Sequence, residues 1–178
     1  MRTGSIRTPA VLSVDPLVLV PGGSRIPWPP SDDRFTDEAK RALVLAQDEA
    51  VRLAHNHVGP VHLLAGIACA DQGVGAQALR ELGVTSDRTR RALDSLMPSR
   101  ATALAPDDIT LTPRAQRVLD ISIAESHQRR RPSAASEDLL LALMNEGEHF
   151  SKELLRALDI EADAVRKKLA ELVDPRGA

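Results

Sequence analysis

The stretch VGPVHLLAGI, residues 58–67, has a counterpart 76 positions further along, AASEDLLLAL at 134–143. At that offset, and with no gap, residues 35–97 lie over 111–173 with fourteen identities. Among them are Thr36/Thr112, Ala39/Ala115, Arg41/Arg117, Leu43/Leu119, Glu49/Glu125, Leu79/Leu155, Leu82/Leu158, Arg90/Arg166 and Leu93/Leu169. An ungapped match of this length marks an internal duplication. Within the opening stretch the leucines survive as Leu63/Leu139 and Leu64/Leu140, whereas the four residues before them change from GPVH to ASED. The copies therefore agree on packing and differ on polar chemistry.

A chain of 178 residues suits one compact domain, or one domain with a tail. Its apolar content comes from Ala, Leu and Val, with no Tyr, two Phe and one Trp. Ala and Leu alongside Arg and Glu favour helix, and so few aromatics argue against a sheet protein. A formal charge of −2 supplies no general attraction to nucleic acid or to an anionic membrane. Cys69 is the single cysteine, so no internal disulfide can form, which fits a reducing cytoplasm. No apolar run approaches the roughly 20 residues needed to span a bilayer. Two arginines precede apolar residues near the N-terminus, but Asp15 and Pro16 interrupt that run and no small-residue cleavage site follows. A cytoplasmic location is expected.

Helical signals begin at Thr36, an N-cap type followed by Asp37 and Glu38, which complement the helix dipole. Ala39, Ala42, Leu43, Ala46, Ala50 and Leu53 then keep the spacing of one buried face. In the second copy Thr112 is the cap and Pro113 takes the first helical position, with Ala115, Val118, Leu119, Ser122 and Ile123 as the face. A second helix is expected over 60–70, burying Leu63, Leu64, Ile67 and Ala68. A third is expected over 74–82, ending at Gly83 in a left-handed turn. A fourth starts near Ser86 or Asp87 and buries Ala92, Leu93 and Leu96. The four-helix unit then repeats. The expected fold is all-α: eight helices in two tandem four-helix repeats with pseudo-twofold symmetry, preceded by an extended arm. Each half covers apolar surface that the other cannot bury alone.

The divisions are a proline-rich arm at 1–34, a first repeat at 35–97, a linker at 98–110, a second repeat at 111–173 and a tail at 174–178. Six of the twelve prolines fall in the arm, including both sides of Trp28, so the arm is read as flexible or extended. Within it, residues 17–20 are β-prone and Trp28 offers a docking side chain.

RFTDEAKRALVLAQDEAVRLAHNHVGPVHLLAGI, ITLTPRAQRVLDISIAES and GVGAQALRELGV together resemble the N-terminal domain of ClpC-type Hsp100 unfoldases, also called the Clp repeat domain. The resemblance covers about 34–173. It implies an eight-helix, pseudo-twofold module that recognises substrates and adaptors, with two phosphoarginine pockets and a surface for certain cyclic peptide antibiotics. No GxxxxGK[ST] phosphate loop occurs in the sequence, so a stand-alone, non-catalytic binding domain is expected.

The family pattern at each pocket is GTEH, a hydroxyl and a carboxylate at a helix start, where a guanidinium can be received. In the first copy Pro60 replaces the hydroxyl and Val61 the carboxylate, while the His is kept as His62, so that pocket is read as lost. Ser136, Glu137 and Asp138 occupy the second copy. Two readings stand for it. One is a residual arginine or phosphoarginine pocket, in which the extra acid repels phosphate and favours an unmodified arginine. The other is structural, with Ser136 as N-cap and both acids complementing the dipole. The adaptor and antibiotic surface corresponds to Phe35, Leu111, Thr112, Pro113, Gln116 and Asp120; Leu111 replaces the family's aromatic and Gln116 its lysine. Phe35 and Leu111 serve equally as staples of their helix starts.

His55, His57 and His62 lack the cysteine or acid that would complete a metal set, so no metal and no cofactor is expected. Cys69 has no His–acid partners in the pattern and is read as a half-buried spectator, which leaves a hydrolase without support. Arg129, Arg130 and Arg131 form the one basic run, read as a solvated loop rather than a nucleic-acid contact. The expected partners are Clp unfoldase and protease components, adaptors or client peptides, met by a monomer. An alternative is sequestration of cyclic peptides that target the unfoldase.

Overall fold

The computed structural model describes residues 33–97, 99, 109–146 and 149–174. The expectations for the arm before residue 33, including residues 17–20 and Trp28, and for most of the linker lie outside those residues.

Eight helices account for nearly all regular structure among the described residues. The first repeat contains α1 (Asp37–Arg52), α2 (Pro60–Cys69), α3 (Val74–Glu81) and α4 (Ser86–Leu96). The second contains α5 (Pro113–Gln128), α6 (Ser136–Glu146), α7 (His149–Ala157) and α8 (Ala162–Val173). The boundaries follow local chemistry. The Thr112 hydroxyl accepts the Ala115 N–H at 3.1 Å, with Pro113 in the first turn, as the cap pattern requires. Gly83 follows α3 at φ 82°, and the Val84 N–H returns to the Leu79 carbonyl at 3.0 Å. Thr36 is at the cap position of α1 but accepts no capping bond; its hydroxyl donates to the Ala134 carbonyl instead.

The two repeats interlock. α1 packs on α2 and α5 on α6, while α3 lies against α6 and α8, and α7 against α2 and α4. Leu63, Leu64, Leu139 and Leu140, the residues that survived the duplication, are all at most 1% exposed. Each contributes on the order of 1.5–3 kcal/mol by burial, and the central helices draw that burial from both halves. The α1–α2 crossing is close because its contact residues are small. A Cβ added at Gly66 would stand 2.2 Å from the Ala42 carbonyl oxygen and 2.6 Å from the Ala46 nitrogen.

Two short parallel pairings, not anticipated from the sequence, tie the halves together. β1 (His57–Val58) pairs with β2 (Thr110–Leu111), with Val58 opposite Leu111. The pseudo-symmetric positions, Phe35 and Ala134, form an isolated bridge. Thr112 N–H reaches the Val58 carbonyl at 3.0 Å, and Thr36 N–H reaches that of Ala134 at 3.0 Å. The segment entering the first helix of each repeat thus hydrogen-bonds to the segment entering the second helix of the other. In this way otherwise orphaned backbone groups at four helix entries find partners.

Candidate functional site

The candidate site lies where the end of α5 meets the start of α6. α5 closes with a left-handed turn: Arg130 takes φ 57°, and the Arg131 N–H bonds back to the Ser126 carbonyl at 2.9 Å. This is the helix-ending motif usually served by glycine, and it aims the residue after the turn back across the bundle. That residue is Arg131. Its guanidinium meets Glu137 Oε1 at 2.5 Å and Asp138 Oδ1 at 2.5 Å. Arg129 meets the same Asp138 oxygen at 2.9 Å and Glu125 at 3.3 Å. The other Asp138 oxygen, Oδ2, accepts the Ala135 N–H at 2.9 Å, which satisfies one of the free donors at the start of α6.

Burial separates the partners. The Asp138 side chain is 0% exposed and that of Glu137 8%, whereas Arg131 remains 32% exposed. Burial works against the Arg131 charge, yet Glu137 and Asp138 together hold its pKa above the ordinary arginine value.

The same geometry is built from different chemistry in the first repeat. α1 ends with Ala54 at φ 53°, and the His55 N–H returns to the Ala50 carbonyl at 2.9 Å. His55, the counterpart of Arg131, then approaches His62, the counterpart of Asp138, at 2.9 Å between Nδ1 and Nε2. His62 Nδ1 accepts the Gly59 N–H at 3.0 Å, so in neutral His62 the proton sits on Nε2 and is donated to His55. Burial, reinforced by the neighbouring His55 and His57, pushes the His62 pKa down to about 3. Beside it Pro60 and Val61 are buried, Val61 at 3% exposure. At this position the first repeat presents no carboxylate.

Several sequence expectations are revised here. Ser136 is not the cap of α6; it is the first helical residue, fully buried, and its hydroxyl accepts the Gly75 N–H of α3 at 3.1 Å. A Cβ on Gly75 would lie 2.6 Å from the Ser136 carbonyl oxygen, so α3 closes over this hydroxyl. The reciprocal capping role belongs to Asp138. Arg129 and Arg131 are not a solvated basic loop, since both turn inward to carboxylates. Phe35 is 1% exposed and is withdrawn from the proposed contact surface, because its backbone is held beside Ala134. The other five members remain accessible at the start of α5. Leu111, Thr112 and Gln116 are half-buried and Pro113 and Asp120 exposed, with the Gln116 amide donating to Asp120 at 3.2 Å.

Cys69 lines an open groove of about 390 Å³ between the end of α2 and the start of α4, with Arg80 and Ser86 also on its wall. Burial raises the thiol pKa, Glu49 adds to the shift, and Arg90 and Ser86 oppose it without reversing it. A thiol held protonated is a poor nucleophile. Among the described residues, no group of three or more His, Cys, Asp or Glu side chains is arranged to hold a metal ion. No helix among them is long and apolar enough to cross a membrane.

The family model described as Clp repeat (R) N-terminal domain matches residues 34–158. "Negative regulator of genetic competence ClpC/MecB" of Bacillus subtilis is 34% identical over 140 residues, covering 79% of this chain and 17% of that protein. "Chaperone protein ClpC1, chloroplastic" of Oryza sativa subsp. japonica is 33% identical over 141 residues, covering 79% of this chain and 15% of the relative. The chain therefore spans about one-sixth of the length of these relatives. Among solved structures, the N-terminal domain of ClpD from Arabidopsis thaliana superimposes with a TM-score of 0.64 at 22% identity, covering 76% of this chain and 94% of that one. The Hsp104 N-terminal domain from Candida albicans gives 0.61 at 20% identity, covering 78% and 91%. These two establish a shared fold.

Proposed function

The chain belongs to the Clp repeat N-terminal domain family, and from that premise we propose that it is a non-catalytic binding module of the Clp protease system. The family is one of substrate- and adaptor-binding domains that interact with Clp components. This chain takes adaptors, client proteins or peptide ligands in place of, or alongside, the N-domain of a ClpC-type unfoldase. The observation that carries the reading is the 34% identity to a ClpC protein over 140 residues, reaching both repeats.

Two surfaces serve this role. The start of α5, with Leu111, Thr112, Pro113, Gln116 and Asp120, offers a mixed polar and apolar contact to adaptors and peptides. The start of α6, with Glu137 and Asp138, supplies carboxylates that receive arginine side chains of clients. The direct test is affinity capture with the full chain against ClpC, ClpP and their adaptors. Enrichment of Clp components or their clients is expected; no enrichment overturns the proposal.

A further inference from the structure

A groove of about 410 Å³ lies between α4 and α7, lined by Arg88, Arg91, Ala92, Ser95, Ala157 and Leu158. Its pseudo-symmetric counterpart, between α8 and α3, is spanned by a charged bridge. There Lys168 crosses to Glu81 at 3.3 Å and also holds Glu171 at 2.9 Å. The offset of 76 residues places Ala92 where that bridge has Lys168, Ala157 where it has Glu81 and Ser95 where it has Glu171. All three bridging side chains are therefore cut short in the α4–α7 groove. Its floor is small and largely apolar, and no carboxylate lines it.

The two arginines that remain keep their charge. Arg88 and Arg91 are three positions apart on α4 and so are neighbours on one helix face. The Arg88 guanidinium donates to the Gly83 carbonyl at 2.6 Å and to the Leu158 carbonyl at 2.9 Å, which ties α4 to the end of α7. Both acceptors are neutral, so the Arg88 charge is fixed in place without being cancelled. Arg91 is exposed and, among the described residues, has no carboxylate partner. Elsewhere in the fold Arg52, Arg90, Arg129 and Arg131 are each paired with acids of this chain.

We propose that the α4–α7 groove is a docking site for an acidic segment of a partner protein, with a carboxylate side chain received by Arg88 and Arg91. Guanidinium groups without an internal counter-ion select carboxylates, which they can hold through paired hydrogen bonds. Ala92, Ala157 and Leu158 take the methylene groups of a glutamate, and the volume admits more than one side chain of the segment. In the second repeat Lys168, Glu81 and Glu171 occupy the corresponding positions, so each chain has one such site. The groove is separate from the starts of α5 and α6, and its partner chemistry does not depend on the Clp role.

The test is a titration of the isotope-labelled full chain with tetraglutamate blocked at both ends, following the amide resonances of residues 88–95 and 157–158. Blocked tetraglutamine is the control and is expected to give no response. Arg91→Gln is expected to weaken tetraglutamate binding at least about fivefold, while Lys167→Gln, which removes the same charge at the counterpart position on α8, changes it less than about twofold. A triple variant, Ala92→Lys with Ser95→Glu and Ala157→Glu, rebuilds the bridge while keeping both arginines, and is expected to abolish the response. Because Arg91 is exposed and unpaired, Arg91→Gln keeps the fold and decides the matter even if the triple variant does not fold. Equal weakening by Arg91→Gln and Lys167→Gln would reduce the binding to long-range attraction and overturn the proposal. No response to tetraglutamate, an equal response to tetraglutamine, or undiminished binding by a folded triple variant also overturns it. The titration contains no Clp component, so its outcome stands apart from that of the capture experiment.

Discussion

Arg131 meets Asp138 at 2.5 Å on the same two positions, one repeat later, at which His55 meets His62 at 2.9 Å. Both contacts rest on the same left-handed ending of the preceding helix, so the duplication preserved a backbone device and exchanged its chemistry. The first repeat closes the junction with a pair of imidazoles. The second closes it with charge, and only there does the junction resemble a ligand site.

The His62 imidazole makes stability depend on pH. Its folded pKa, pushed down to about 3, lies below the unfolded value near 6.5, so the unfolded chain binds the proton more readily. Stability from this group is complete above about pH 6.5 and falls as the pH drops towards 3. At pH 5 the loss should be up to about 2 kcal/mol, read as an earlier urea midpoint than at pH 7. His62→Gln should flatten that dependence.

The close crossing of α1 and α2 depends on the missing side chain at Gly66. Gly66→Ala places a methyl group 2.2 Å from the Ala42 carbonyl oxygen, far inside van der Waals contact, and the helices must separate. A loss of about 3 kcal/mol is expected from such overpacking, despite the better helix propensity of alanine. Thermal unfolding measures it, and an unchanged midpoint would contradict the packing described here.

Ala54 ends α1 at φ 53°, where a Cβ is unfavourable. Ala54→Gly should stabilise the fold by up to about 1 kcal/mol, because the relief of strain exceeds the added entropy of the unfolded chain. Denaturant melts on the pair give the sign directly.

Asp120 is exposed and accepts only the Gln116 amide among the bonds described for it, at 3.2 Å. Asp120→Lys should therefore leave stability within about 0.5 kcal/mol of the wild type. Capture of Clp components should fall if the start of α5 is the contact surface. Unchanged capture by a folded variant would exclude this surface.

The duplication, the eight helices and most of their ends are legible in the order of residues alone. Those features are local: periodic Ala and Leu choose the buried face, while Thr112, Pro113 and Gly83 stop and start helices through bonds within one turn. Membership of the family was legible for the same reason, since its motifs lie within single helices and their caps. Contacts between segments far apart in the chain emerge only from the packed fold. Ser136 looked like a cap because serine commonly is one, but α3 supplies a buried N–H that claims its hydroxyl. Phe35 looked available because it precedes a helix, yet the backbone pairing with Ala134 draws it inside. The three consecutive arginines read as a solvated loop, since nothing local shows that a left-handed turn aims Arg131 at Glu137 and Asp138. A spacing of seven between Arg131 and Asp138, the same as between His55 and His62, was the one trace of that contact in the sequence. It acquires meaning only once the helix ending is known, because burial and charge pairing are properties of the packed molecule.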